Sequence, residues 1–541
     1  MNNKMAVRGG AGDILEPKVG TRPQDNLYLA VNSEWLENVK IPSDRSRIAS
    51  FDNIDLDVEK KLMKDFADFA DGKKEVADVP NLKKAVELYK LARDFKRRDE
   101  DGAKPIQADL ALLEGIRDFA DFNLKAPDLF KAAFALPFSF DVDADMKNTK
   151  INVLQFFGSS IFLPDTTTYK TDAAQKLLDV LKKQSIELLK MAGLSVGQAE
   201  EYVDDAMKFD DKVSKVVKSS EEWADYPAMY NPMPISDFEK KITNFKMDYF
   251  LKEALGEVPD RVIVAEPRYL DHFDELINED NFDEIKGWMI VKFINGVASY
   301  LSQDFREASF PFSQALSGQP ELQSQEKQAY HLANGIFSEV VGVYYGKTYF
   351  GEDAKKDVLS MIHKMLDVYE ERIKNNDWLS EETKHKAIVK LRALILKIGY
   401  PDKIEEIYDR LHVTPASEGG SLYSNARAAE IEQVKYNVEK LHKPVDRTVW
   451  LMPGNLVNAC YDPQRNDLTF PAAILQAPFY DLKQDRAENF GGIGTVIAHE
   501  VSHAFDNNGA QFDEYGNTPF RVGSTVAYAP ADDPQVAALI V

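Results

Sequence analysis

Two histidines four residues apart, with a glutamate directly after the first, stand close to the C-terminal end of the 541 residues: His499-Glu500-Val501-Ser502-His503. On a helix, positions i and i+4 project from one face. Two imidazoles at that spacing meet one Zn²⁺ at about 2.0–2.1 Å each. Glu500 then reaches a water on the metal rather than the metal itself, and the chemistry this allows is metal-assisted hydrolysis with a carboxylate as the base. A carboxylate that only orients its neighbours is the alternative for Glu500. A buried helix whose histidines are merely hydrogen-bonded is the alternative for the whole motif.

The flanks favour the metal. Ile493, Val496, Ile497 and Val501 recur at three- and four-residue steps, and no charge other than Glu500 lies between Glu488 and Asp506. The spacing predicts one helix over 490–505 with a buried face. An apolar helix carrying two His and one Glu must satisfy them, and a cation does so. Asn508-Gly509 predicts a left-handed stop after the helix. Asp506 follows His503 by three residues on nearly the same face. It either hydrogen-bonds the second nitrogen of a histidine and fixes its tautomer, or is a helix-end carboxylate without a role.

A catalytic zinc takes three protein ligands and keeps one position open. Beyond Asp506 the acids are Asp513, Glu514, Asp532 and Asp533, none in a convincing helical pattern. The pattern HExxHxxGxxH is excluded, because Asp506 and Gly509 stand where it needs Gly and His.

Other elements must position the motif. Runs at 448–452 and 456–461 read as strands, 462–467 as a turn and 468–471 as a second strand after it, a hairpin shortly before the histidines. Asn458-Ala459-Cys460-Tyr461 is a candidate edge for an added peptide strand: Ala459 lets backbones approach, and the Asn458 amide both donates and accepts. An ordinary strand end with a turn-favouring Asn is the alternative. Helical periodicity dominates upstream, over 55–69, 82–95, 106–119, 173–191, 196–217, 282–301, 323–349 and 354–374. A further helix, capped by Ser380 or Thr383, runs to about 396. The pattern changes near Ile398-Gly399-Tyr400-Pro401-Asp402.

Composition narrows the classes. With 66 basic and 89 acidic residues the formal charge is −23, which argues against nucleic acid or an anionic membrane as partner. A single cysteine, Cys460, excludes an intrachain disulfide framework. The N-terminal stretch has no apolar h-region, and no run of about 18 apolar residues exists. A cytoplasmic monomer is the expectation, with export by a non-classical route left open. After Asn517 the composition breaks: the tail has no Lys and no Glu. It reads as a frameshift, a gene fragment or a mis-called end, which the coding DNA past codon 517 would reveal.

Several motifs together carry a resemblance. They are Asp25-Asn26-Leu27-Tyr28 with Val31-Asn32-Ser33-Glu34-Trp35, Trp378-Leu379-Ser380-Glu381-Glu382-Thr383, Lys397-Ile398-Gly399-Tyr400-Pro401-Asp402, Val457-Asn458-Ala459-Cys460-Tyr461, the run 470–480, and the run 496–508. From about Asp25 to Asn517 the chain resembles the neprilysin / endothelin-converting-enzyme family of zinc metallopeptidases, most closely its bacterial oligopeptidase O branch. The resemblance implies a mainly α fold with a smaller α+β part: a thermolysin-like (gluzincin) catalytic lobe and a large helical lobe enclosing a cavity that admits short peptides.

It also implies roles. His499 and His503 match two zinc ligands, Glu500 the catalytic base, Asn458 and Ala459 the substrate-backbone anchor, and Ile474, Phe479 and Val496 the walls of the pocket for the residue after the scissile bond. The family's third ligand, a Glu in an ExxxD motif, and its later His and Arg have no match in this sequence.

The expected organisation is a flexible arm at 1–22, a segment at 23–50 packing on the catalytic lobe, a mostly helical lobe at 51–400, a partial catalytic lobe at 401–517 and an atypical tail at 518–541. The expected activity is zinc-dependent cleavage of short peptides on the amino side of hydrophobic residues, weak or lost here for want of the third zinc ligand. A non-catalytic peptide-binding remnant is the alternative.

Overall fold

The computed structural model describes residues 18–518, together with the backbone of two short strands, Val7–Arg8 and Ile14–Leu15, which pair with each other. The expectations for the rest of the arm, and for the tail with Asp532 and Asp533, lie outside the described residues.

The expected helices form where apolar residues recur on one face. Among them are α1 (Ser50–Ala70), α2 (Leu82–Arg93), α3 (Ala174–Met191), α4 (Val196–Ser214), α5 (Phe282–Val297), α6 (Gln325–Ile336), α7 (Ser338–Tyr345), α8 (Glu352–Lys374), α9 (Glu381–Arg392), α10 (Arg486–Gly491) and α11 (Ile493–His503). Local chemistry sets their ends. Ser195 and Gln198 form a capping box at the start of α4. The Ser380 side chain accepts the Thr383 N–H at the start of α9, so Ser380 is the cap of the two candidates.

Two small sheets accompany the helices. In the first, β1 (Ser139–Asp145) and β2 (Asn148–Phe157) form an antiparallel hairpin. β4 (Arg261–Val264) runs parallel to β2, and β3 (Pro232–Pro234) pairs antiparallel with β4. This sheet lies within 51–400, expected to be mostly helical, at residues for which neither helix nor strand was expected. Its signal was a strict alternation, with Phe140, Val142 and Ala144 buried between more exposed Asp residues. The second sheet has the order β5 (Ile395–Gly399), β7 (Asp467–Pro471), β6 (Cys460–Asp462): β5 lies parallel and β6 antiparallel to β7.

The second sheet corrects several expectations. The helix expected to reach 396 ends at Arg392, because residues 395–399 go into β5. The 448–452 run is loop, and the 456–461 run becomes strand only at Cys460. The 323–349 stretch is broken at Phe337 and ends in a π-turn at Gly346–Phe350.

Three hydrophobic cores organise the chain. The first fills the region between Ile106 and Phe305 and is joined by Tyr423. The second joins α1 and α2 to α6 and α7 and to residues between Tyr400 and Ala473. The third holds α8, α9, β5, β7 and α11 together. Residues 352–399 therefore pack with the histidine helix, whereas the change of pattern near Ile398 suggested a boundary at 400/401. That change marks a switch from helix to strand, not a border between cores.

Candidate metal centre

The helix α11 is set by what it buries. Ile493, Ile497 and Val501 are fully buried in the core shared with Leu468 and Phe470 of β7 and Val358 and Ile362 of α8. The expected single helix over 490–505 is interrupted at Gly492, which lies between α10 and α11. A Cβ there would lie 2.3 Å from the Phe479 carbonyl oxygen, and the Ile493 N–H donates to that same oxygen at 2.7 Å. Tyr369 of α8 donates its hydroxyl to the carbonyl of Ala498, the residue directly before His499, at 2.8 Å.

With the apolar face fixed inward, His499 and His503 emerge together on the other side. Their Nε2 atoms lie 3.1 Å apart, and the rings stand at 82° to each other. A tetrahedral ion bonded to two nitrogens at about 2.0–2.1 Å holds them roughly 3.3–3.4 Å apart. The observed pair is therefore close to the spacing such an ion requires, and the donor set suits Zn²⁺.

Asp506 accounts for the tautomer. Its Oδ2 lies 2.7 Å from His503 Nδ1, while its Oδ1 accepts the N–H groups of Asn508 at 2.9 Å and Gly509 at 2.7 Å. Nδ1–H of His503 therefore donates to Asp506, and the Nε2 lone pair is left facing His499. The expected left-handed stop at Asn508-Gly509 is not formed. Asn508 has φ −87°, and Gly509 is not among the glycines with positive φ. Gly509 is there for space, since a Cβ would lie 1.8 Å from the His503 carbonyl oxygen.

Glu500 is buried and turned to the second sheet. Burial pushes its carboxyl above the usual carboxylate range, opposed by the neighbouring histidines and by the nearby Tyr461 backbone. β6 is the edge of that sheet, with no strand beyond it among the described residues. Asn458 and Ala459 immediately precede β6. Asn458 is exposed, and its Oδ1 accepts the Ala459 N–H at 2.9 Å.

Ile474 is fully buried in the third core, with Phe479 and Val496 packed against it. The Phe479 ring meets Phe51 edge-on at 5.2 Å. Among the described residues no group of three His, Cys, Asp or Glu side chains comes together as a metal site. The Asp513 carboxylate is engaged by Tyr515 and Asn517.

Two partners of the site were missed in the sequence. Tyr369 offered only a helical tyrosine. Lys390, which donates to carbonyls after the helix, carried no signal of its own in the sequence.

Two family profiles, both described as Peptidase family M13, match residues 23–401 and 458–525. The chain is 61% identical over 517 residues to a neutral endopeptidase of Lactobacillus helveticus, covering 96% of this chain and 79% of the relative. It is 44% identical to the neutral endopeptidase of Lactococcus lactis subsp. lactis (strain IL1403), covering 92% of this chain and 78% of that one. Among solved structures it is similar to PepO from Lactobacillus rhamnosis HN001, with a TM-score of 0.85, 36% identity, and 92% and 78% of the two chains covered. The Mycobacterium tuberculosis zinc metalloprotease Zmp1 in complex with an inhibitor gives 0.84 at 26% identity, with 95% and 77% covered.

Proposed function

The chain belongs to peptidase family M13, and from that premise we propose that it is a zinc-dependent endopeptidase that cuts short peptides on the amino side of hydrophobic residues. The observation that carries this reading is the convergence of two Nε2 atoms at 3.1 Å with Asp506 on the far nitrogen of one ring.

His499 and His503 would hold the ion. Bound there, zinc supplies Lewis acidity and lowers the pKa of water. Glu500 takes the proton of the attacking water on its carboxylate and delivers it to the leaving amide nitrogen. Its burial raises its basicity toward this task. The substrate backbone adds as a strand at Asn458 and Ala459 along the free edge of β6. Phe479 and Val496 would flank the apolar side chain that follows the cut bond, with the buried Ile474 behind them. The protein acts as a monomer in this reading.

The described residues supply two ligands. A site held by these two histidines alone would bind zinc weakly and turn over slowly. The second reading is a peptide-binding protein without catalysis.

One set of measurements separates the two: zinc content by chelator competition, cleavage of quenched fluorogenic peptides, and the same assays on Glu500→Gln. Zinc-dependent cleavage that falls by about 10²–10⁴-fold in Glu500→Gln, with zinc retained, supports the peptidase. Peptide binding without zinc or cleavage supports the second reading. One tightly held zinc per chain would show that a third ligand comes from outside the described residues.

A further inference from the structure

The turn that follows α11 carries Asp506, and something must hold that turn. Gly509 and Phe512 are buried, so their carbonyl oxygens need donors from the protein. Both find the same one. Lys390, on α9 and itself buried, donates from Nζ to the Gly509 oxygen at 2.5 Å and to the Phe512 oxygen at 2.8 Å. The peptide unit does not end there. The Gly509 N–H donates to Asp506 Oδ1 at 2.7 Å, and Asp506 Oδ2 meets His503 Nδ1 at 2.7 Å. A continuous chain of hydrogen bonds thus runs from the Lys390 ammonium through one residue and one carboxylate to a histidine of the candidate metal pair.

Neighbouring contacts fix the lysine itself. Its own carbonyl accepts from Asn466 Nδ2 at 3.2 Å, and the same amide donates to the Glu514 carbonyl at 3.1 Å. Its ammonium lies 5.8 Å from the centre of the Tyr461 ring. Burial pushes the Lys390 ammonium down to about 7, opposed by the facing acids Asp513, Asp506 and Glu514. Only a long side chain arriving from α9 spans the two carbonyls and faces that edge at once.

We infer that Lys390 is a positioning residue for His503. By clamping the 506–512 turn through Gly509 and Phe512, it keeps the Asp506 carboxylate on Nδ1 and the Nε2 lone pair aimed at His499. The inference rests on the metal reading above, but its geometry belongs to the metal-free chain.

The test therefore begins without metal. Nitrogen-15 NMR of the imidazoles reports the His503 tautomer in the wild type, Lys390→Met, Lys390→Arg, Asp506→Asn and the Lys390→Met/Asp506→Asn double variant. Chelator competition then reports the zinc dissociation constant of each. The expected result is an Nδ1–H tautomer in the wild type, a mixed population in Lys390→Met and Asp506→Asn, and recovery toward wild type in Lys390→Arg. The zinc dissociation constant is expected to rise about tenfold to a hundredfold in each single variant. The double variant should be no worse than Asp506→Asn alone, because both changes cut one path.

If Lys390→Met does not fold, Lys390→Gln, which is neutral and too short to span both carbonyls, is read in its place. A folded Lys390→Met or Lys390→Gln with the wild-type tautomer and zinc constant overturns the inference, and so does full additivity with Asp506→Asn. A wild type that binds no zinc overturns the metal reading instead, while the tautomer comparison still decides the role of Lys390.

Discussion

At the scale of single residues, the site depends on glycine used for space. Gly492 lets the start of α11 approach the Phe479 carbonyl, and Gly509 lets the turn carrying Asp506 fold back on His503. An added methyl at Gly492 would meet a backbone oxygen at 2.3 Å, which a flexible side chain cannot relieve. Gly492→Ala is therefore expected to lower stability by about 1–3 kcal/mol. It should also weaken binding of peptides with a bulky residue after the cut bond, since Phe479 must shift. Urea midpoints and KM for a matched peptide pair check this, and an unchanged midpoint would show that the contact is not tight. The histidine pair was legible in the sequence because helical spacing alone brings i and i+4 together. The use of Gly509 was not. A glycine offers both positive φ and the absence of a side chain, and a sequence does not show which one the fold takes.

At the scale of elements, the second sheet decides where Glu500 stands, and its first strand, β5, was not legible in the sequence. Residues 395–399 continue the apolar pattern of the helix before them, so periodicity alone extends the helix. The 448–452 run has strand-like residues, yet it serves as a loop whose Val449 carbonyl accepts from Lys397 Nζ at 2.6 Å. Lys397 of β5 also pairs with Asp467 of β7, and both are almost fully removed from solvent. Strand propensity reports a fit to a half-buried pleated surface, and so it missed a strand that buries a lysine. Removing one member of a buried pair leaves an uncompensated charge. Lys397→Met is thus expected to cost about 3–5 kcal/mol, and the double change Lys397→Met/Asp467→Asn to recover much of it. Chemical denaturation of the three variants measures this, and additive losses in the double variant would exclude the coupling.

At the scale of the whole molecule, the helical periodicity seen in the sequence accounts for most of the chain, but the joints between its parts depend on buried polar groups that periodicity does not reveal. One such joint is Glu339 at the start of α7. It is buried and accepts the Glu405 backbone N–H at 2.6 Å, tying the helices of the second core to the segment after β5. Burial, joined by the nearby Glu405 charge, outweighs that hydrogen bond and pushes its carboxyl up to about 7. A carboxyl whose folded pKa is raised binds more protons in the folded than in the unfolded state between the two values. Its contribution to stability is therefore present below about pH 4.5 and is lost as pH climbs toward 7. Asp210, pushed up to about 6 by its own burial, acts in the same direction, so the informative quantity is the difference between two proteins. Glu339→Gln keeps an acceptor for the Glu405 N–H without a charge to bury. Relative to wild type it is expected to gain roughly 1–3 kcal/mol on going from pH 5 to pH 8. Urea midpoints at the two pH values measure the gain, and parallel pH profiles for the two proteins would show that Glu339 does not titrate across this window.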